Sequence, residues 1–261
     1  MSIQPDNKPL DGSRLSAHLL QLRKSDLKLA RRADSFKTIP LSHYQSLMVL
    51  GRKRYVAIVV STYMSLLWDG WKSKRKTKRI PTNKLMVTRR MLHEHFSIGE
   101  STAGQILKAL VDHKIILVAQ KSVYSGKKGQ NLGTLYRLPW MESGSGKNIH
   151  IYWGLLVSEV FIGLSVTQQA VIILLHQFHS RIKNRLTIKP YALSEYGIHR
   201  NRLCEYVNQL RQIGLLNYIE GDDYDFAWFD KDGKPNFNKL KMMHLSHTDP
   251  APNSYQVAAN Q

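Results

Sequence analysis

The chain is short of cysteine, of acidic side chains and of long apolar runs, and each shortage removes a class of protein. Of 261 residues only Cys204 is a cysteine, so no intrachain disulfide can form and a reducing compartment is expected. The amino terminus is polar and has no apolar h-region, so a secretory signal is not expected. The longest apolar runs, Val56–Val60 and Val171–Leu175, fall far short of the ~20 residues that span a bilayer, so no membrane partner is expected. Asp and Glu number 19 against 38 Lys and Arg, for a formal net charge of +19 and a pI near 10.0. That balance points to a polyanionic partner, nucleic acid before an acidic membrane surface.

The charge is unevenly spread. Residues 1–55 carry 11 basic side chains against 4 acidic, residues 56–140 carry 15 against 4, and residues 141–261 carry 12 against 11. The electrostatic grip therefore belongs to the first half. A hydrophobic content of 43% is enough for two modest cores.

What the chain does have is an internal repeat. Thr88–Ile98 followed by Gly99–Val118 matches Ile188–Ile198 followed by His199–Tyr218, one hundred positions later and without a gap. Phe96 falls on Tyr196, Leu107 on Val207, Leu110 on Leu210 and Ile116 on Leu216. Each copy reads as a short helix, a tight turn, a second amphipathic helix and a β-rich run. The expected fold is mainly α with small β wings (α+β): two winged helix-turn-helix domains in tandem.

Composition shifts divide the chain into a basic leader (1–35), a first domain (36–140), a linker rich in Gly and Ser (141–148), a second domain (149–232) and a polar tail (233–261). Within the leader, Leu15, Leu19, Leu22 and Leu29 predict a basic amphipathic helix over 13–33. Arg54–Trp68 and Thr167–Arg181 predict one apolar helix for each domain. Ile116–Lys121 with Thr134–Leu138, and Leu215–Ile219 with Phe226–Phe229, predict paired wing strands. Pro190 suits the first position of a short helix, and Gly214 the end of the long one.

A helix that enters the major groove keeps one face apolar for its own domain and presents polar side chains on the other. In the first repeat Ala103, Leu107 and Leu110 share the inner face, and Ser101, Gln105 and Lys108 the outer, with Thr102 near the amino-terminal end. In the second, Leu203, Val207 and Leu210 face inward, while His199, Arg200, Asn201, Arg202, Asn208 and Gln209 surround the exposed surface. The candidate base readers are Ser101, Thr102, Gln105, Lys108, His199, Arg200, Asn201 and Arg202. The candidate phosphate contacts are Lys72, Lys74, Arg75, Lys76, Lys78 and Arg79 in the basic run, Arg89 and Arg90 before the first turn, and Lys127 and Lys128 in the first wing. The second wing instead carries Glu220, Asp222, Asp223 and Asp225, which a phosphate backbone repels.

Other constellations are weaker. His93 and His95 lie on opposite sides of a helix, and His176 with His179 lacks a further ligand, so no metal is expected. Cys204 sits partly inward with no activating neighbour and reads as packing. Gly146-Lys147 has the wrong flanks for a phosphate-binding loop. Clustered aspartates in a wing turn are a poor Mg²⁺ site, so no catalytic residues, cofactor or nuclease activity is expected.

The stretch from Phe36 to Leu138 resembles the winged-helix regions of bacterial plasmid, phage and integrative-element proteins. It has a buried first helix, a basic loop, the Leu92…Ile98 turn and a Gly-Lys-rich wing ending in Leu135-Tyr-Arg-Leu138. Two such units in one chain resemble plasmid replication initiators. That resemblance implies binding of double-stranded DNA at origin repeats, a homodimer that becomes an active monomer, contact with replication or transcription machinery, and a bacterial cytoplasm with nucleoid or plasmid association. A transcriptional regulator that binds operator DNA is the alternative. A winged-helix adaptor for protein contacts is a third reading. No paired-histidine nicking motif is present, which argues against a rolling-circle endonuclease.

Overall fold

The computed structural model describes residues 36–72, 84–96, 98–124, 131–141, 146–180, 182 and 184–240. The leader with its predicted helix, Lys74–Arg79, Lys127 and Lys128 lie outside them. The first half comprises β1 (Phe36–Pro40), α1 (Leu41–Ser46), α2 (Arg54–Lys72), β2 (Lys84–Val87), α3 (Arg89–Phe96), α4 (Glu100–Asp112), β3 (Leu117–Tyr124) and β4 (Asn131–Arg137). The second half comprises β5 (Asn148–Tyr152), α5 (Trp153–Leu156), α6 (Glu159–Gly163), α7 (Val166–Leu175), β6 (His179–Ser180), β7 (Arg185–Thr187), α8 (Arg200–Gln212), β8 (Leu216–Glu220) and β9 (Asp223–Phe226).

Among the described residues the strands make three separate sheets. β1 pairs with β5, β2, β4 and β3 form a second sheet in that order, and β6, β7, β9 and β8 form a third. All described pairings are antiparallel. The β1–β5 register runs Phe36↔Tyr152, Thr38↔His150 and Pro40↔Asn148. Thr38 and His150 are separated by 112 positions. The same separation carries Arg54, where α2 begins, to Val166, where α7 begins. The pair is therefore symmetric about Thr38 and His150, and the duplication extends to the opening elements of each half. It shortens to 100 positions at α4 and α8, and nine of those twelve positions are the difference in length between α2 and α7.

The halves share one apolar core, which runs from Ile39 to Leu240. α2 packs on α7, and both are lined with residues removed from water, among them Ile58, Val59, Met64, Val171, Ile173 and Leu174. Such continuous burial supplies the main driving force for the fold. Two pairs of polar groups in this layer bond each other: Tyr44 Oη lies 2.9 Å from Thr62 Oγ1, and Trp140 Nε1 donates to Ser65 Oγ at 2.9 Å. Ser165 caps α7, accepting from Gln168 N while Gln168 Oε1 accepts from Ser165 N.

The expectation of a mainly helical chain with two winged helix-turn-helix domains in tandem is overturned. The structure is a mixed α+β fold in which one of three small sheets joins the two halves. Moreover, the short helix expected after Pro190 is not an α-helix. Residues 190–193 are turns and Ser194–Tyr196 is one 3₁₀ turn, held by Ala192 N→Lys189 O, Ser194 N→Tyr191 O and Tyr196 N→Leu193 O. The tighter i→i+3 bonds prevail over this stretch, which ends at Gly197 in the left-handed conformation, φ 72°. The predicted helix over 167–181 likewise stops at Leu175, passing into a 3₁₀ turn and β6.

Residues 233–240, expected within a polar tail, are packed against the body. Asn236 N donates to Trp228 O at 2.7 Å, Leu240 is buried, and the Phe237 ring stacks on Trp228 and fills the space beside Gly154.

Candidate nucleic-acid interface

α3 and α4 are built by local signals. Thr88 Oγ1 accepts from Met91 N at 3.1 Å and starts α3. His93 Nδ1 donates to Ile98 O at 3.2 Å, bridging the turn between the helices. α4 buries Ala103, Ile106, Leu107 and Leu110 and leaves Ser101, Thr102, Gln105 and Lys108 exposed. All four predicted readers thus stand on one solvent-facing side. The helix ends where Lys114 takes φ 57° and Ile115 N reaches Leu110 O at 2.9 Å.

α8 repeats the arrangement. Leu203, Val207 and Leu210 are buried, and His199, Arg200, Asn201 and Arg202 are exposed. Its end is the counterpart of α4's: Gly214 at φ 75°, with Leu215 N on Leu210 O at 2.9 Å. Two details depart from the expectation. Gln209 is half-buried and accepts from Gln168 Nε2 at 2.9 Å, so it fastens α8 to α7. Cys204 is exposed and lines a groove of about 190 Å³ with Pro190, Leu203, Val207 and Asp222; it is not packing in the core.

Glu205 escaped the sequence reading. Its carboxylate accepts from Arg202 Nη1 at 2.8 Å across one helical turn, a spacing visible in the sequence. Both side chains are exposed, so solvent screens the pair and it contributes little. Arg202 can therefore leave it for another acceptor at little cost.

Of the predicted phosphate contacts, Arg89 and Arg90 are exposed at the start of α3, and Lys72 is the last residue of α2. Lys121 on β3 is also exposed. The acidic hairpin is arranged differently from the expectation, since Asp223 and Asp225 lie in β9 and only Gly221 and Asp222 turn the chain. β7, which the sequence reading did not supply, explains this. Thr187 Oγ1 donates to Asp223 at 2.6 Å, and the Arg185 guanidinium bonds Glu220 at 2.8 Å and also Asp223. The hydrogen bonds from Thr187 and Arg185 hold the Asp223 carboxyl below the usual carboxylate range. Asn217 Nδ2 donates to Asp225 at 2.8 Å.

Among the described residues, no three His, Cys, Asp or Glu side chains converge as a metal ion would require. His176 and His179 have ring centroids 6.4 Å apart; His176 Nδ1 donates to Ile172 O at 2.8 Å, and His179 Nε2 lies 3.0 Å from Asn184 Oδ1. Also among the described residues, no helix is long and apolar enough to cross a membrane. Compared with family models, with curated proteins and with solved structures, the chain matches none.

Proposed function

We propose that the protein binds double-stranded DNA with sequence preference, reading bases with the exposed sides of α4 and α8 and holding phosphates with its basic first half. The observation that carries this reading is the division of α4. Its buried residues, Ala103, Ile106, Leu107 and Leu110, are all apolar, while Ser101, Thr102, Gln105 and Lys108 are exposed on a chain of net charge +19. Gln pairs bidentately with adenine, Ser and Thr bond either partner, and Lys reaches guanine or phosphate. On α8, Arg200 and Asn201 offer the same chemistry at the first turn. The acidic β8–β9 hairpin takes no part in holding phosphate, so the two halves contribute unequally.

The setting we propose for this binding is the origin repeats of a plasmid or other mobile element in a bacterial cytoplasm, with operator DNA of a transcriptional regulator as the alternative. The test is selection of bound duplexes from a random library, followed by mobility shift at ~50 and ~200 mM salt. A recovered repeat sequence, bound with a steep negative salt slope, is the expected result. A full-length protein that ignores every duplex at low salt ends the reading.

A further inference from the structure

We propose that Arg89 reads a guanine edge as part of the α4 face, seated there by Gly104, and is not a phosphate contact. The inference rests on the DNA-binding reading and names one determinant of its specificity. Gly104 lies inside a 13-residue helix, where glycine is unfavourable because it loses the most conformational freedom on folding. The space beside it explains its presence. A Cβ at position 104 would fall 2.8 Å from Arg89 Nε and 2.9 Å from its Cζ. The Arg89 guanidinium therefore packs into the space beside Gly104 on α4.

Helical spacing places Gly104 between Ser101, three positions before, and Lys108, four after. Both are exposed. Arg89 thus completes a row of donors on that side, though it belongs to α3. Its position does nothing for α3 itself, because a cation at a helix amino terminus is disfavoured by the dipole and the first turn of α3 holds no acidic residue. Among the described residues, Arg89 has no carboxylate partner. It does lie close enough to oppose, with Thr134, the burial that raises the Tyr136 hydroxyl, so it sits in the α3–α4–β4 corner and not loose in solvent. A planar fork held in this way suits bidentate bonding to guanine O6 and N7.

The second half lacks the device. The register of 100 puts Cys204 at the position of Gly104 and Lys189 at that of Arg89. Cys204 has the Cβ that Gly104 omits, and it faces the groove shared with Pro190 and Asp222. The guanine-reading fork is therefore a property of the first half.

The experiment compares full-length wild type, Arg89→Ala, Arg89→Lys and Gly104→Ala on the selected duplex, on a random duplex, and on the selected duplex with 7-deazaguanine at each guanine in turn. Each variant should lose roughly 10-fold on the selected duplex, within the ~5–150-fold span of one bidentate pair. Affinity for random duplex and the salt slope should stay unchanged, and one 7-deazaguanine position should cost the wild type affinity but not the variants. If Arg89→Ala instead weakens all duplexes alike, flattens the salt slope by about 0.9 and is rescued by Arg89→Lys, Arg89 holds phosphate and the proposal falls. It also falls if no variant differs from wild type. Thermal unfolding checks that Gly104→Ala folds; if it does not, Arg89→Lys decides alone. Wild type that binds no duplex sinks the DNA-binding reading itself, whereas selective wild-type binding with indifferent variants sinks only this inference.

Discussion

The Arg54 guanidinium donates to the Gly197 carbonyl at 3.3 Å, across 143 positions of sequence. The Tyr55 hydroxyl donates to the same oxygen at 3.2 Å, and Gln45 Nε2 reaches Glu195 at 3.1 Å. The opening of α2 in one half therefore holds the turn that launches α8 in the other. This contact, together with β1–β5 and α2–α7, makes the placement of α8 depend on residues from the first half.

Gly197 is the position where this dependence can be measured. Its φ is 72°, and a Cβ there would lie 2.5 Å from Arg54 Nη2. The left-handed backbone costs a non-glycine residue about 1–2 kcal/mol, and displacing Arg54 adds to that. Gly197→Ala should lower stability by about 2–3 kcal/mol in urea unfolding. A change below about 0.5 kcal/mol would show that the tie is incidental.

His43 gives a pH prediction. It is buried, stacked on Trp140 with ring centroids 3.7 Å apart, and its Nε2 has no hydrogen-bond partner among the described residues. Burial lowers its pKa to about 3, and burial likewise takes His176 to about 3. Both therefore stay neutral in the folded chain while the unfolded chain takes up protons near pH 6.5. Stability is complete above that pH and falls as pH drops from about 6.5 toward 3, by at most about 1.4 kcal/mol per pH unit for each histidine. His43→Phe keeps a ring against Trp140 and removes one titrating group. Urea midpoints at pH 7 and pH 5 should then differ less in the variant than in wild type; an unchanged difference would remove His43 from the acid response.

The helices of the candidate interface were legible in the sequence because their apolar period is local. Leu107 and Leu110, or Val207 and Leu210, mark the buried side without knowledge of anything else. The β1–β5 pair was not legible. Phe36–Pro40 is five residues ending in proline, and its partner lies across the expected boundary at 141–148, at the start of the other expected domain. The acidic hairpin was misread for a related reason. Asp223 looks like a loop residue until β7 brings Arg185 and Thr187 beside it. The missing helix after Pro190 shows that a fitting proline does not by itself make an α-helix, since the chain there closes in i→i+3 turns up to Gly197. Arg89 on Gly104 was hidden because the residues belong to different helices and only their packing joins them.

Base reading and phosphate attraction should separate in two variants. Gln105 is exposed on α4, and Gln105→Ala should change which sequences are preferred, by about 1–3 kcal/mol at one base pair, with little effect on salt dependence. Replacing Lys127 and Lys128 with Ala removes two charges from the segment between β3 and β4. It should weaken all duplexes together and lower the salt slope by up to about 2. Library selection on each variant and titration at several salt concentrations make the comparison. Identical behaviour of the two variants would mean that α4 does not face the bases.

The ends of α4 and α8 provide a test of the duplication on stability alone. Lys114 at φ 57° and Gly214 at φ 75° occupy the same place, each followed by a residue whose N–H returns to Leu110 or Leu210. Glycine adopts this backbone freely and is favoured after a helix end, whereas lysine bears a steric cost of about 1–2 kcal/mol. Glycine's greater freedom in the unfolded chain offsets part of that difference, by about 0.5–1 kcal/mol. Lys114→Gly should therefore stabilise the protein by about 0.5–1 kcal/mol, a rise of ~1–4 °C in Tm at this size, and Gly214→Lys should destabilise it by a similar amount. Opposite signs of this kind are required if the two helix ends are equivalent. Two changes of the same sign would show that Lys114 is held by something other than its backbone geometry.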